Sequence, residues 1–334
     1  MKKRITVIGG GAWGTALAVQ AVRAGADVEL VLRNPDLAEH INANGENDLY
    51  LPGISLPGAL RATTSCDGLR DADAVLLVTP AQHLRETLTK LAAHWTDNLP
   101  AVICSKGIET KTGALMAQVV TQSLGNVPVA VLSGPTFAQE VAKGLPAAIT
   151  LACEDRVVGK RLVELIGTPE FRPYFSTDVA GVEVAGAIKN VLAIASGVVA
   201  GLELGDNARA ALITRGIAEM SRLAVAMGGR VETMLGLAGL GDLTLTCTGT
   251  LSRNYTFGLA LGQGRKAKDI LAERRSVTEG VYTAASITDV AAKYGVEMPI
   301  CKAVDQVANH DSNLRSTING LLQRPFRDEL EAAS

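Results

Sequence analysis

R-I-T-V-I-G-G-G-A-W-G-T-A-L-A-V-Q-A-V-R-A-G-A-D-V-E-L-V-L-R-N, residues 4–34, reads as a strand, a glycine turn, a helix and a second strand. Arg4 to Ile8 is β-branched and apolar, Thr15 to Ala24 is Ala-rich with helical spacing, and Val28 to Leu32 is apolar again. Gly9, Gly11 and Gly14 between them supply G-x-G-x-x-G. One glycine permits the tight turn, one lets backbone approach a pyrophosphate, and one lets helix pack closely on strand. The anion would sit on the helix N-terminus, where unpaired N–H groups and the helix dipole favour negative charge. A site for the unphosphorylated dinucleotide carries an acid at the end of the second strand. Here that place reads Leu32-Arg33-Asn34, and a guanidinium suits a ribose 2′-phosphate. The stretch therefore predicts a dinucleotide-binding unit with a preference for NADPH, NADH remaining possible, and Arg33 joins the glycines as a cofactor-binding candidate.

A secretory signal is the competing reading of the same residues, since Met1 to Arg4 is basic, Ile5 to Val22 is uncharged and Ala16-Leu17-Ala18 imitates a cleavage site. Five glycines among residues 9–25 argue against the apolar helix such a signal needs. The strand before the turn and the helix after it favour the nucleotide-binding reading.

A chain of 334 residues is long enough for two domains, each with its own core. Its net charge of −2 provides no basic field for nucleic acid or an anionic membrane. Cys66, Cys104, Cys153, Cys247 and Cys301 are scattered and include no C-x-x-C pair, which fits a reducing cytoplasm and no metal site. His40, His83, His94 and His310 lack metal-ligand spacing and read as surface or packing residues. The longest later uncharged apolar stretch, Asn190 to Leu202, is too short to span a bilayer.

Up to about residue 177, short apolar runs alternate with amphipathic helices, the pattern of a doubly wound α/β parallel sheet covered on both faces. Ala74 to Val78, Ala101 to Cys104, Val129 to Leu132, Ala147 to Ala152 and Arg172 to Ser176 are the further strands. Beyond Asp178 the texture becomes helical throughout. The expected organisation is a Rossmann-type domain over residues 1–180 and an all-helical substrate-binding domain over 181–330. Ligands of such sheets bind at the carboxyl ends of the strands. Thr79-Pro80, Ser105-Lys106-Gly107 and Ser133-Gly134-Pro135-Thr136 fall at those ends. Lys106 is placed to meet a phosphate or a polarised carbonyl, although an exposed loop lysine is the plainer reading. Ser133 lacks the G-x-S-x-G spacing of a nucleophile elbow.

Val184, Ile188, Val191, Ala195, Val198 and Leu202 follow helical spacing, and beside them runs a small or polar stripe of Gly186, Lys189, Asn190, Ala193, Gly197 and Ala200. Such a stripe lets another helix or a ligand approach closely. Lys189 is the only cation between Asp178 and Arg209. Desolvation and a nearby carboxylate push a lysine in opposite directions, and their balance makes a usable acid and base. Snorkelling to solvent is the commoner fate of such a residue. Asp242 is the only acid between Glu232 and Asp269, in a glycine turn able to bring it beside Lys189. Ser252, Arg253 and Asn254 present a hydroxyl, a guanidinium and an amide in succession, donors suited to a substrate phosphate. Arg274 to Gly280 adds an acid, Glu279, in a turn toward the cofactor.

Seven segments, G-G-G-A-W-G-T-A-L-A (9–18), S-K-G-I-E (105–109), S-G-P-T-F-A-Q-E-V (133–141), A-I-K-N-V (187–191), G-L-G-D-L-T-L-T-C (239–247), S-R-N (252–254) and V-T-E-G (277–280), run in order across nearly the whole chain. Together they resemble the bacterial NAD(P)-dependent glycerol-3-phosphate dehydrogenase family. The resemblance implies reversible hydride transfer between NAD(P)H and dihydroxyacetone phosphate, giving sn-glycerol 3-phosphate for phospholipid synthesis in the cytoplasm. It implies Lys189 as the catalytic acid and base, with Asp242 and Lys106 beside the chemistry. Lys106, Gly134, Thr136, Asp242, Ser252, Arg253 and Asn254 would contact substrate, joined by Asn190 and Thr246 from the same segments. Trp13, Arg33, Lys106, Ala138, Arg253, Val277 and Glu279 would contact the dinucleotide. Ala12 departs from the serine frequent in that family. A homodimer is compatible with the resemblance, which implies no metal, nucleic-acid partner or membrane span. The competing enzyme is a related two-domain dehydrogenase of a 3-hydroxy acid or 6-phosphogluconate, which the Gly-Leu-Gly-Asp and Ser-Arg-Asn segments disfavour. A sensor that binds nicotinamide without catalysis would be expected to lack Lys189 or Asp242, and both are present.

Overall fold

The structure, a computed structural model, describes residues 3–274, 278–326 and 328–329. The chain forms two compact units, one of residues 1–106 and 114–183, the other of residues 107–113 and 184–334. The boundary falls inside one long helix, close to the change in sequence texture. The short segment 107–113, which the expected division at residue 180 leaves in the first domain, belongs instead to the second unit.

The first unit is built on eight strands, β1 (Arg4–Ile8), β2 (Asp27–Val31), β3 (Leu60–Thr63), β4 (Ala74–Leu77), β5 (Ala101–Ile103), β6 (Val129–Ser133), β7 (Ala147–Cys153) and β8 (Phe171–Ser176). They lie in the order β3-β2-β1-β4-β5-β6-β7-β8, so the connections reverse direction between β1 and β4. That reversal is the switch point at which open α/β sheets take their ligands. Helices α1 (Ala12–Arg23), α2 (Pro35–Asn44), α3 (Leu84–Leu91), α4 (Met116–Leu124), α5 (Ala138–Lys143) and α6 (Arg156–Ile166) connect the strands. One face of the sheet, with Val7, Leu30, Leu76, Val102 and Leu132, packs into a single core with Leu17 and Ala21 of α1.

Two features depart from the expected sheet. β3 goes unmarked in the sequence because it is four residues long with Arg61 exposed in its middle. β7 runs antiparallel to β6, and β8 is parallel to β7, so the sheet is mixed at that edge. The connection from Ser133 to Ala147 holds a single six-residue helix, α5, shorter than an ordinary crossover helix. The apolar content of a buried strand does not encode its direction.

The second unit is helical. It begins within α7 (Val179–Gly201) and continues through α8 (Gly205–Ala226), α9 (Val231–Met234), a π turn at Leu237–Gly241, α10 (Asp242–Thr248), α11 (Arg253–Gly262), α12 (Ala267–Glu273), α13 (Glu279–Lys293), α14 (Pro299–Asn309) and α15 (Leu314–Leu322). α7 is longer than the uncharged stretch Asn190 to Leu202, because Glu183 and Lys189 are carried within the same helix. By length and composition it is long and apolar enough to cross a membrane, which corrects the expectation drawn from the uncharged part alone. Of its most apolar window, 89% is buried inside the protein, the condition of a core helix.

The stripe of small residues on α7 receives another helix. A Cβ on Gly197 would fall on the Tyr255 carbonyl oxygen, and one on Gly258 would fall on the Ile194 carbonyl oxygen. Gly201 and Gly262 meet one turn further along, with a Cβ on Gly262 only 2.6 Å from the Val198 carbonyl oxygen. α7 and α11 therefore cross with their backbones in contact, as small residues four apart on both helices allow. This crossing brings residues 252–255 beside residue 190.

Candidate active site

In the first unit the glycine turn sits at the switch point. Gly9 has φ +123°, a region L side chains rarely enter, and a Cβ there would stand 2.9 Å from the Val78 carbonyl oxygen. A Cβ on Gly14 would land on the Gly9 carbonyl oxygen, so the start of α1 touches the turn directly. A Cβ on Gly11 would meet nothing within 4 Å, leaving open space over the helix end. Gly11 is the N-cap of α1 and offers no side chain to its first N–H groups. The turn is held from outside by Asn47, fully buried, whose Nδ2 donates to the Gly10 carbonyl oxygen at 3.0 Å and to Thr15 Oγ1 at 2.8 Å. Asn47 lies in no motif, and nothing in the sequence marks it.

Around the turn, Ala12 and Trp13 are half-buried on α1, and Trp13 Nε1 is a buried donor without a partner among the described residues. Arg33 is exposed just past β2, and Asn34 behind it caps α2 by accepting from Asp36 N at 2.9 Å and Leu37 N at 3.3 Å. Lys106 is half-buried after β5, its Nζ 3.5 Å from the Gly134 carbonyl oxygen. Thr136 Oγ1 donates to the same carbonyl at 3.2 Å, and Ala138 opens α5. An uncapped helix end over open space, an orphaned indole N–H and a guanidinium past β2 fit a dinucleotide. Cys104, two residues before Lys106, is fully buried with its thiol pushed far above the ordinary range by desolvation, so it is inert.

In the second unit, Lys189 and Asp242 form a buried ion pair. Lys189 Nζ donates to Asp242 Oδ1 at 2.5 Å, with the two side chains 9% and 1% exposed. In the π turn at Leu237–Gly241, Gly239 packs directly on the Met234 backbone, where a Cβ would fall on the Met234 carbonyl oxygen, and the turn delivers Asp242 at the start of α10. One turn along α10, Thr246 completes the arrangement. Its Oγ1 accepts from Lys189 Nζ at 3.1 Å and donates to the Asp242 carbonyl oxygen at 2.5 Å. Of the three ammonium protons, two are thereby directed at fixed acceptors. Cys247 next door is neutral, its thiol raised to about 12 by burial, with the Lys189 charge working in the opposite direction.

Asn190, beside Lys189, accepts at Oδ1 from Asn254 Nδ2 at 2.9 Å, and Asn254 Oδ1 accepts from Gly280 N at 3.1 Å. These bonds commit the oxygen and one N–H of Asn254 to the fold. Gly280 has to be glycine here, since a Cβ would lie 2.6 Å from the Asn190 carbonyl oxygen. Ser252 caps α11 through a bond from Tyr255 N at 3.2 Å, leaving its O–H to donate elsewhere. Arg253 is exposed at the first position of that helix. Its carbonyl oxygen is held by Arg274 Nη1 at 2.6 Å, and the Arg274 guanidinium lies 5.7 Å from the Phe257 ring centre. Glu279 opens α13, half-buried, while Val277 lies outside the described residues.

Lys189, Asp242 and Thr246 are thus buried and bonded together in the second unit, Asn190 and Asn254 form a second buried bonded pair, and Ser252, buried, and Arg253, exposed, precede Asn254 in sequence. Gly9, Gly11, Gly14, Trp13, Arg33, Lys106, Gly134 and Thr136 lie at the carboxyl edge of the sheet in the first. Asn47 and Arg274, which support the two groups, are found only from the coordinates. Among the described residues no cluster of metal-ligating side chains occurs.

Residues 4–158 match the family described as NAD-dependent glycerol-3-phosphate dehydrogenase N-terminus, and residues 178–319 match the corresponding C-terminus. A protein of Rhodospirillum rubrum named glycerol-3-phosphate dehydrogenase, NAD(P)+, is 56% identical over 326 residues, which is 97% of this chain and 93% of that one. The crystal structure of a glycerol-3-phosphate dehydrogenase from Coxiella burnetii shares 40% identity and a TM-score of 0.93, covering 97% of this chain and 99% of that one. The enzyme of the same name from Saccharomyces cerevisiae, at 29% identity, has a TM-score of 0.82 and covers 96% of this chain and 99% of its own.

Proposed function

The chain belongs to the NAD-dependent glycerol-3-phosphate dehydrogenase family, and from that premise we propose that it interconverts dihydroxyacetone phosphate and sn-glycerol 3-phosphate with NAD(P)H. It is an NAD(P)-dependent oxidoreductase, and cytoplasmic phospholipid synthesis is the use we assign to its product. The observation that carries the assignment of roles is the buried Lys189, Asp242 and Thr246 arrangement.

Gly9, Gly11, Gly14, Trp13 and the first N–H groups of α1 hold the dinucleotide by its pyrophosphate, and Arg33 takes a 2′-phosphate. Ala138, Val277 and Glu279 are further contacts. When bound, the reduced nicotinamide supplies hydride to C2 of the ketone. Lys189 protonates the carbonyl oxygen as the new C–H bond forms, and takes the proton back in the oxidative direction. Asp242 holds the ammonium by charge and Thr246 fixes its rotamer, so proton transfer needs little reorganisation. Arg253, Ser252 and the N-terminus of α11 grip the substrate phosphate, with the second N–H of Asn254 and the amide of Asn190 as additional donors. Lys106, Gly134 and Thr136 complete the substrate contacts. Binding the nonreacting phosphate turns binding energy into alignment of the reacting carbon.

General acid help is worth about 10²–10⁴-fold, so Lys189→Ala lowers kcat by about that factor while NADPH affinity stays near that of the parent. Near-normal turnover in that variant removes Lys189 from the acid role.

A further inference from the structure

β4, β5 and β6 lie side by side and parallel, with Leu77, Ile103 and Val131 in register. Two residues further along each chain, at the carboxyl edge, come Thr79, Ser105 and Ser133. Ser133 is the last residue of β6 and shares the face of Val129 and Val131, while Thr79 and Ser105 follow the ends of β4 and β5. That face lies opposite the one carrying Leu76, Val102 and Leu132 into the core with α1. Three hydroxyl residues thus follow one another across the carboxyl ends of β4, β5 and β6.

Ser105 is explained by the fold, since its Oγ donates to the Thr79 carbonyl oxygen at 2.6 Å. Thr79 Oγ1 and Ser133 Oγ are different. Both oxygens are buried and neither has a partner among the described residues, and Ser133 as a whole is only 2% exposed. Burying a hydroxyl without a hydrogen bond is costly, and such groups in a native fold call for an explanation. One follows the end of β4 and the other ends β6, in the same half-sheet, at the edge where α/β sheets receive ligands.

The two halves of such a sheet bind the two nucleotides of a dinucleotide. Arg33 follows β2 and marks that half for the adenosine, which leaves β4 to β6 for the nicotinamide nucleotide. A hydroxyl both donates and accepts, matching sugar hydroxyls and a carboxamide. A phosphate, which only accepts, would call for the N–H groups and guanidinium found in the other half. Given the dinucleotide reading on which this assignment rests, we infer that Thr79 and Ser133 hydrogen-bond the sugar hydroxyls or carboxamide of the nicotinamide nucleotide through their buried side-chain oxygens.

The test uses Thr79→Val, Thr79→Ser and Ser133→Ala in the full chain. Each is titrated calorimetrically with NADPH and with 2′-phospho-ADP-ribose, which lacks the nicotinamide, and melted without ligand. Thr79→Val and Ser133→Ala each raise the Kd for NADPH about five- to twenty-fold. They leave 2′-phospho-ADP-ribose affinity unchanged, and Thr79→Ser binds both like the parent. Melting without ligand is not lowered, because the deleted hydroxyls have no partner among the described residues. Equal loss for both ligands, or parent-like NADPH affinity, overturns the assignment. A lowered melting temperature with intact NADPH affinity also overturns it, and makes the hydroxyls structural, bridged by buried water. Failure of the parent to bind either ligand removes the dinucleotide reading itself.

Discussion

Replacing Lys189 by Met leaves Asp242, 1% exposed, as a buried carboxylate without its cation. At 2.5 Å and an effective dielectric of about 20, Coulomb attraction between the two is about 7 kcal/mol. Against that stands a desolvation penalty of several kcal/mol for each ion, so the net worth of the pair is small. Breaking it is another matter, since a single uncompensated charge retains its own penalty and costs about 3–5 kcal/mol. Asp242→Leu strands the ammonium in the same way and costs a similar amount. Independent effects would sum to about 6–10 kcal/mol in the double variant. The double variant instead loses no more than either single one, because Met and Leu leave no charge behind and fill similar volume. Urea denaturation followed by circular dichroism on the parent, both single variants and the double variant measures the cycle. Losses that add would show that the two side chains do not depend on each other, and would refute the coupled buried pair. Catalysis behaves differently from stability here, and the double variant stays as inactive as Lys189→Met.

Arg33→Asp lowers the NADPH to NADH preference about ten- to a hundredfold in Kd, the worth of a charge-assisted hydrogen bond, and a constant ratio by calorimetry would remove the 2′-phosphate contact. Glu183 is fully buried and accepts from Ala117 N at 2.8 Å, and burial raises its carboxyl to about 8, with the backbone N–H groups of Ala117 and Met116 pulling the other way. Its folded value exceeds its unfolded one, near 4.3, so the folded state holds the extra proton between them and stability falls as pH rises across about pH 4–8. Glu183→Gln keeps an oxygen for Ala117 N and flattens that part of the stability profile, measured by urea midpoints at several pH values; an unchanged slope would show that Glu183 does not titrate in that range.

The turn from β1 into α1 was legible because period-two and helical spacing meet at glycines whose φ and close approaches no other residue allows. β3 was not, being four residues with a charged one in the middle, and neither was the direction of β7, which depends on how its connection folds. The segment 107–113 shows no texture that separates it from the first unit. Lys189 stood out as the only cation between Asp178 and Arg209 and Asp242 as the only acid between Glu232 and Asp269, and a glycine turn is the means of bringing them together. Which partner the small stripe of α7 receives was open in the sequence, since a ligand and a helix ask for the same residues; Gly197 and Gly258 settle it by backbone contact. Asn47 and Arg274 act through atoms 32 or more and 21 residues away, and the hydroxyl row exists only once strands are in register.

The most direct measurement follows NADPH absorbance with the parent enzyme, comparing dihydroxyacetone phosphate with dihydroxyacetone at equal concentration. A carbonyl protonated by Lys189 and a phosphate gripped by Arg253 and the start of α11 predict rapid loss of absorbance with the phosphorylated ketone and very little with the free one. Equal rates for the two ketones, or no oxidation of NADPH with either, would contradict the account.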